Sequence, residues 1–163
     1  MIIRPAEKRD LTAILAIYNQ GIEDRIATLE SDVKDIACME SWFAEHGGRY
    51  VVIVAEMDNR VAGWASLNRY SMRCAYDGVA DLSVYIDREY RGKGIGKQLL
   101  QAIEQIAIGN HFHKIVLFTF PFNQLGQRLY RRMGYREVGV FRNQGRLDGK
   151  FVDVMAMEKI LKE

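Results

Sequence analysis

Residues 91–97, RGKGIGK, form the segment whose residue types most directly suggest a binding site. Three glycines and three cations stand together there, between an alternating apolar run and an apolar helical pattern. Free backbone N–H groups at a helix N-terminus attract anions, and glycine lets a phosphate group approach them closely. Arg91, Lys93 and Lys97 would add positive charge. The segment therefore indicates a pyrophosphate site, although an exposed basic turn would have the same composition.

Two familiar phosphate-binding motifs do not fit this segment. A P-loop, G-x-x-x-x-G-K-[ST], would need glycine at Arg91 and a hydroxyl residue at Gln98. A dinucleotide fingerprint, G-x-G-x-x-G, would need glycine at Lys97. The pattern that remains is R-x-x-G-x-G, formed by Arg91, Gly94 and Gly96.

The composition limits the class of protein that has to hold this site. The chain has 163 residues, 48% hydrophobic and 27% charged, which is typical of one soluble globular domain spanning 1–163. A net charge of +2 gives no general attraction for nucleic acid. Cys38 and Cys74 stand far apart, as expected in a reducing cytoplasm, and we expect no membrane segment.

The hydrophobic periodicity predicts an α/β chain of order βααβββαβαββ around one mixed sheet. Asp10 is expected to cap the first helix, and the second helix is expected at 32–46. Later elements are expected as a strand at 79–87, a helix at 94–109, a strand at 114–120, a helix at 123–133 and closing strands at 135–141 and 151–158.

The glycine segment resembles the pyrophosphate-binding R/Q-x-x-G-x-G/A segment of the GNAT superfamily of N-acetyltransferases, and the element order is similar to the GNAT fold. Three further stretches, IYNQGIEDRIATLES, RCAYDGVADLSVYID and DGKFVDVMAMEK, are similar to phosphinothricin N-acetyltransferases and related enzymes for methionine sulfoximine, methionine sulfone and arsinothricin. The resemblance implies an α+β fold with helices on both faces of the sheet, acetyl-CoA as cosubstrate, and a small amino acid or analogue as acceptor.

The resemblance also implies two catalytic residues. An amine attacks a thioester only as the free base, so a proton must be accepted. The family places a Glu for this purpose in A-E-x-[ST]-[VI]-Y, and the matching residue here is Asp81, one methylene shorter. Tyr130, four residues before Gly134, matches a tyrosine that acts as general acid in many relatives. A hydrogen-bonding Asp81 and a core Tyr130 without catalytic roles are the alternatives.

Cofactor contacts carried over from the family fall into three groups. The backbone of Val84, Tyr85 and Ile86 would meet the pantetheine arm. Asn123 would contact CoA and could equally cap the following helix, and the two roles are compatible. The pyrophosphate would bind at Arg91, Gly92, Lys93, Gly94, Ile95, Gly96 and Lys97.

Substrate contacts are expected from Arg73 and Tyr76, which match an R-x-A-[YF] segment, and from Thr28 in the first loop. Arginine's planar fork suits a carboxylate or phosphinate. Some relatives have a second basic residue where this chain has Ser71, although Arg69 lies nearby. Surface roles remain open for these residues.

The function expected is acetyl-CoA-dependent N-acetylation of a small amino acid or analogue. A polyamine or protein lysine as acceptor, or a regulatory acyl-CoA-binding module without catalysis, are the alternatives. The resemblance further implies a homodimer built on the closing strands. His111 and His113 have the alternate spacing of strand metal ligands but lack an acidic or cysteine partner nearby, so no metal is expected.

Overall fold

A computed structural model describes residues 1–25, 28–30 and 32–162. The four helices are α1 Leu11–Asp24, α2 Ile36–Glu45, α3 Ile95–Gly109 and α4 Gln124–Arg132. The seven strands are β1 Ile2–Pro5, β2 Val52–Met57, β3 Arg60–Arg69, β4 Val79–Ile86, β5 Lys114–Thr119, β6 Arg136–Leu147 and β7 Lys150–Ile160. The predicted order βααβββαβαββ is confirmed.

All seven strands belong to one sheet, in the order β1-β2-β3-β4-β5-β7-β6. Neighbouring strands are antiparallel except β4 and β5, which run parallel. The α3 helix provides the crossover that a parallel pair requires. The sheet is therefore mixed, as the sequence predicts.

Helices cover both faces of the sheet. On one face, Leu11, Ile14 and Ile17 of α1 pack with Met39 of α2 around Trp64 of β3. On the other face, α3 buries its apolar stripe in the larger core, whose α3 members are Ile95, Leu99, Leu100, Ile103 and Ala107. The predicted coverage of both faces is thus confirmed.

The starts of α1 and α2 differ from the sequence-based expectation. The Asp10 side chain does not cap α1, because it binds the Arg4 guanidinium and accepts the Glu7 N–H. The α2 helix begins later than residue 32, since Asp35 caps it by accepting the Cys38 N–H at 2.9 Å. Several acidic residues near each helix start could act as the cap. The hydrogen bonds formed in the folded protein decide which of them does so.

The closing hairpin is longer than predicted. Strands β6 and β7 extend to a turn at Asp148 and Gly149, both with positive φ. Polar residues in the second half of β6 weaken the apolar alternation from which strands are predicted. Within the part of the chain that the structure describes, none of the helices combines the length and apolar character that crossing a lipid bilayer requires.

Candidate active site

The parallel strands β4 and β5 stay paired over only three residues, Val79 to Asp81 opposite Lys114 to Val116. After Asp81, β4 continues against β3, and β5 continues against β7. The two strands therefore separate in the middle of the sheet. A gap between parallel strands leaves backbone hydrogen-bonding groups open to a ligand.

Strand alternation decides which backbone groups face this gap. Asp87 N–H donates to Ala62 C=O, so odd-numbered residues of β4 direct their backbone groups toward β3. Even-numbered residues point the other way, as Gly78 C=O shows by accepting His113 N–H before the strands part. Val84 and Ile86 thus present N–H and C=O to the gap. The backbone groups of Tyr85 point toward β3 instead, away from the gap in which the sequence-based hypothesis places its backbone contact.

The glycine-rich turn follows β4 and opens α3. Gly92 and Gly94 have φ of +77° and +82°, where other residues are strained, and a Cβ at either would meet nothing within 4 Å. The first helical hydrogen bond runs from Gln98 N–H to Gly94 C=O. The preceding N–H groups of Ile95, Gly96 and Lys97 consequently have no acceptor within the helix. These free donors lie at the position where the sequence predicts an anion site.

Cations surround this turn unequally. Lys93 and Lys97 are exposed, whereas Arg91 donates to Asp24 at 3.0 Å. Asp24 also accepts from Arg88 at 3.0 Å. Arg91 is therefore held toward the end of α1, and the two lysines are the cations of this turn without such an ion pair among the described contacts.

Asp81 lies where β4 and β5 part, in an open cleft of about 480 Å³. The cleft is lined by Arg69, Tyr70, Ser71, Tyr76, Asp81 and Phe118. Burial raises the pKa of Asp81 to about 6, and a hydrogen bond from Asn68 partly offsets this. A carboxylate with this pKa is ionised at neutral pH and is a stronger base than an exposed aspartate.

A polar cluster supports Asp81 on the face covered by α1 and α2. Asn68 of β3 donates from Nδ2 to Asp81 at 3.1 Å and to the Ser83 hydroxyl at 3.0 Å. Its Oδ1 lies 2.9 Å from the Ser66 hydroxyl and 2.8 Å from His46 Nε2. Sequence reasoning missed Asn68 and His46, because nothing in the chain links them to Asp81 before the strand register is known.

The substrate-side residues are not all where the sequence predicts. Tyr76 lines the cleft, but Arg73 is exposed at the start of a 3-10 turn and lies outside the lining residues. Arg69 lines the cleft instead, with its guanidinium 5.1 Å from the centre of the Tyr50 ring. Arg69 pairs with Ala80, next to the Asn68–Asp81 pair, so its side chain leaves β3 on the opposite face of the sheet from Asp81.

Thr28 marks the other end of the same face of β4. Its hydroxyl interacts with those of Tyr18 and Tyr85, and burial raises the pKa of both phenols. Asp81, Ser83 and Tyr85 share this face because strand side chains alternate. Thr28 therefore lies beside Tyr85, which is two alternate positions along β4 from Asp81.

The two residues predicted around α4 lie on the side of the larger core. Tyr130 packs against that core and contacts Tyr135 edge-on, and burial raises the Tyr130 pKa to about 12. This phenol keeps its proton at neutral pH and can donate it. Asn123 caps α4 by accepting the Gly126 N–H at 3.1 Å, which confirms the capping role. Its amide also donates to Thr119 at 3.3 Å.

Among the described residues, no group of three His, Cys, Asp or Glu side chains is placed to hold a metal ion.

Comparison with known proteins identifies the family. Residues 14–135 match the family described as Acetyltransferase (GNAT) family. The chain belongs to the GNAT family. The fold predicted from the glycine segment and element order is therefore confirmed at the level of the family.

Individual GNAT relatives resemble the chain over nearly its whole length. YwnH of Bacillus subtilis, named provisionally as a phosphinothricin acetyltransferase, is 35% identical and covers 99% of both chains. An L-methionine sulfoximine/L-methionine sulfone acetyltransferase of Pseudomonas aeruginosa is 30% identical, covering 96% of this chain and 92% of that protein.

A solved structure extends this similarity to the fold. A GNAT superfamily phosphinothricin acetyltransferase from Sinorhizobium meliloti, in complex with acetyl-CoA, matches with a TM-score of 0.93 and 28% identity. The match covers 99% of this chain and 89% of that one.

Proposed function

We propose that this GNAT chain transfers the acetyl group of acetyl-CoA to the primary amine of a small amino acid or analogue, such as phosphinothricin or methionine sulfoximine. The observation that carries the proposal is the position of Asp81. Its carboxylate lies where β4 and β5 separate, with a pKa raised by burial to about 6, in a cleft that also contains Arg69. The names of the relatives support this substrate class.

Acetyl-CoA would enter along the gap between β4 and β5. Open backbone groups of Val84 and Ile86 match the amides of a pantetheine arm, which would extend β4 in the manner of an added strand. The pyrophosphate would rest on the α3 N-terminus beside Lys93 and Lys97. The complex of the Sinorhizobium meliloti relative with acetyl-CoA supports this cosubstrate.

Starting from the ammonium form of the acceptor, two protons must leave the nitrogen and one must reach the sulfur. A typical α-amino group, with a pKa of about 8, arrives mostly as ammonium. Asp81 would accept its proton, directly or through water because aspartate is short, and the free nitrogen would then attack the thioester carbonyl carbon. A backbone N–H of the gap would stabilise the developing oxyanion. The C–S bond breaks, and Tyr130 would protonate the departing thiolate. The second proton of the attacking nitrogen would then pass through water to the tyrosinate, which restores Tyr130.

Arg69 would provide the charge that selects an amino acid over a simple amine. A guanidinium binds a carboxylate through two parallel hydrogen bonds. Arg69 lines the same cleft as Asp81, and its long side chain would turn from Tyr50 toward the cleft to bind the substrate carboxylate while Asp81 meets the amine. Arg73, which is exposed and is not among the lining residues of the cleft, would serve a second anionic group only after moving toward it.

A polyamine or a protein lysine is the second candidate acceptor, favoured by the openness of the cleft. Such substrates carry positive charge, which Arg69 would repel. An acyl-CoA-binding module without catalysis would retain the glycine turn but would have no need for the buried carboxylate of Asp81.

The proposal is tested by release of free CoA thiol from acetyl-CoA with a panel of acceptors. The panel contains phosphinothricin, methionine sulfoximine, methionine sulfone, common amino acids, spermidine and a lysine peptide. We expect turnover with the carboxylate-bearing analogues. Turnover only with spermidine or the peptide would show that the acceptor is a polyamine or a protein lysine. No turnover, combined with stabilisation by acetyl-CoA, would favour an acyl-CoA-binding module without catalysis.

We also propose a single domain that acts in the cytoplasm as a homodimer. Exposed apolar side chains on the closing hairpin, Val138, Val140, Phe141 and Phe151, support association through that hairpin. Light scattering at micromolar concentration would give twice the mass of the 18.8 kDa chain. The mass of a monomer would contradict the assembly.

A further inference from the structure

His46 connects to the candidate base through one amide. It ends α2, where its Nδ1 lies 2.9 Å from the C=O of Trp42. Its Nε2 lies 2.8 Å from Asn68 Oδ1, and Asn68 Nδ2 lies 3.1 Å from Asp81. The three side chains form a continuous line from the end of a helix to the cleft.

The hydrogen-bond donors and acceptors in this line restrict the protonation state of His46. A carbonyl oxygen only accepts, so Nδ1 must donate to Trp42 C=O. In the orientation observed, Asn68 Oδ1 also accepts, so Nε2 must donate as well. A histidine ring that donates from both nitrogens is the imidazolium. A cation in this position also suits the C-terminal end of α2.

The opposite orientation of Asn68 demands the opposite charges. Rotating the amide would turn its NH₂ group toward His46 Nε2, which must then be unprotonated. It would also turn Oδ1 toward Asp81, which must then be the protonated acid to donate. Ser66 and Ser83 are compatible with either orientation, because hydroxyls both donate and accept. Only His46 and Asp81 therefore discriminate between the two orientations.

We propose that His46 is a positioning residue for Asp81: as the imidazolium, it fixes the Asn68 amide so that the NH₂ group faces Asp81 and keeps Asp81 as the carboxylate. The inference rests on the proposed function for its catalytic consequence, but the coupling itself is a property of the folded protein. It makes the availability of the base depend on a ring outside the cleft. His46 lines a separate groove, of about 220 Å³, together with Tyr50.

Other groups face Asp81 and must be held constant in a test. In the part of the chain that the structure describes, the titratable side chains that line the cleft beside Asp81 are Arg69, Tyr70 and Tyr76, and Tyr85 shares the strand face of Asp81. Tyr50 is the titratable neighbour of His46 in its groove. None of these is changed by substitution of His46, so a change in Asp81 titration reports on the amide line.

The experiment compares wild type, His46→Ala and His46→Gln. In His46→Ala the amide is no longer fixed and the carboxylate loses its donor, so we expect Asp81 to titrate at a pH higher by about 0.5 to 1. The Gln side chain keeps an N–H donor for Asn68 Oδ1, so His46→Gln should titrate close to wild type. The titration is followed by NMR of the Asp81 side-chain carboxyl carbon, which needs no substrate.

Activity supplies the second measurement. The acid limb of kcat/KM should move upward with the NMR titration in His46→Ala and recover at pH 9, where Asp81 is ionised in every variant. An unchanged Asp81 titration in His46→Ala overturns the proposal, whatever its effect on Tm, and so does an equal shift in both variants. A shift in the NMR titration without acetyl transfer to any acceptor would leave the coupling established and reject the proposed function instead.

Discussion

Substitution of Asp81 by Asn should remove activity and stabilise the fold at the same time. Burial raises the pKa of Asp81 from 3.8 to about 6, so the native protein carries this carboxylate under a free-energy penalty at neutral pH. Asn is a neutral group of the same shape. Its side-chain oxygen can still accept the hydrogen bond that Asn68 donates to Asp81 in the wild type.

The size of the effect follows from the shift in pKa. A rise of about two units corresponds to about 3 kcal/mol of unfolding free energy. Because the pKa is higher in the folded protein, the native state binds more protons between the two values, and stability is lost as the pH rises from about 4 through 6. Asp81→Asn should therefore raise Tm at pH 7 by about 6 to 12 °C, and the gain should become small at pH 4.

The assay measures Tm and kcat at pH 4, 5, 6, 7 and 8 for wild type, Asp81→Asn and the exposed control Asp32→Asn. We expect kcat of Asp81→Asn to fall by about 10² at pH 7, with partial recovery at high pH as the amine deprotonates. The control should change neither quantity. A gain in Tm that is the same at pH 4 and pH 7 would refute the burial argument, and full activity of Asp81→Asn at pH 7 would refute the assignment of the base.

Four further substitutions test other parts of the site. Gly94→Val forces a side chain into positive φ at the α3 N-terminus and should abolish the rise in Tm caused by acetyl-CoA, whereas Gly109→Ala, in a helical position with open space, should retain it. Arg69→Ala should raise KM for a carboxylate-bearing acceptor by about 10- to 150-fold. Arg73→Ala should raise this KM less. A larger rise in Arg73→Ala than in Arg69→Ala would favour Arg73 as the substrate contact, as the sequence predicts. Tyr130→Phe should lower kcat without changing the KM for the acceptor, and an unchanged kcat would exclude Tyr130 as the acid.

The sequence alone determined the elements and their order, because these depend on local periodicity and on the few residues that end helices and strands. The glycine-rich turn could also be located from the sequence, because its glycine spacing is a local signal. In the structure Gly92 and Gly94 adopt positive φ, and a Cβ at either position would meet no other atom within 4 Å. Asn123 could be assigned as a cap for the same local reason. The family followed from these features and from segments spread along the chain.

The tertiary structure alone decided how Asp81 is surrounded. The separation of β4 from β5 directly after Asp81, and the direction of the Val84 backbone toward the gap, depend on strand pairing between distant residues. Register placed Asn68 between His46 and Asp81, and the folded cleft is lined by Arg69 and not by Arg73. Burial and hydrogen bonding act over a few ångströms between residues far apart in the chain, so the pKa of the candidate base has no local signal in the sequence.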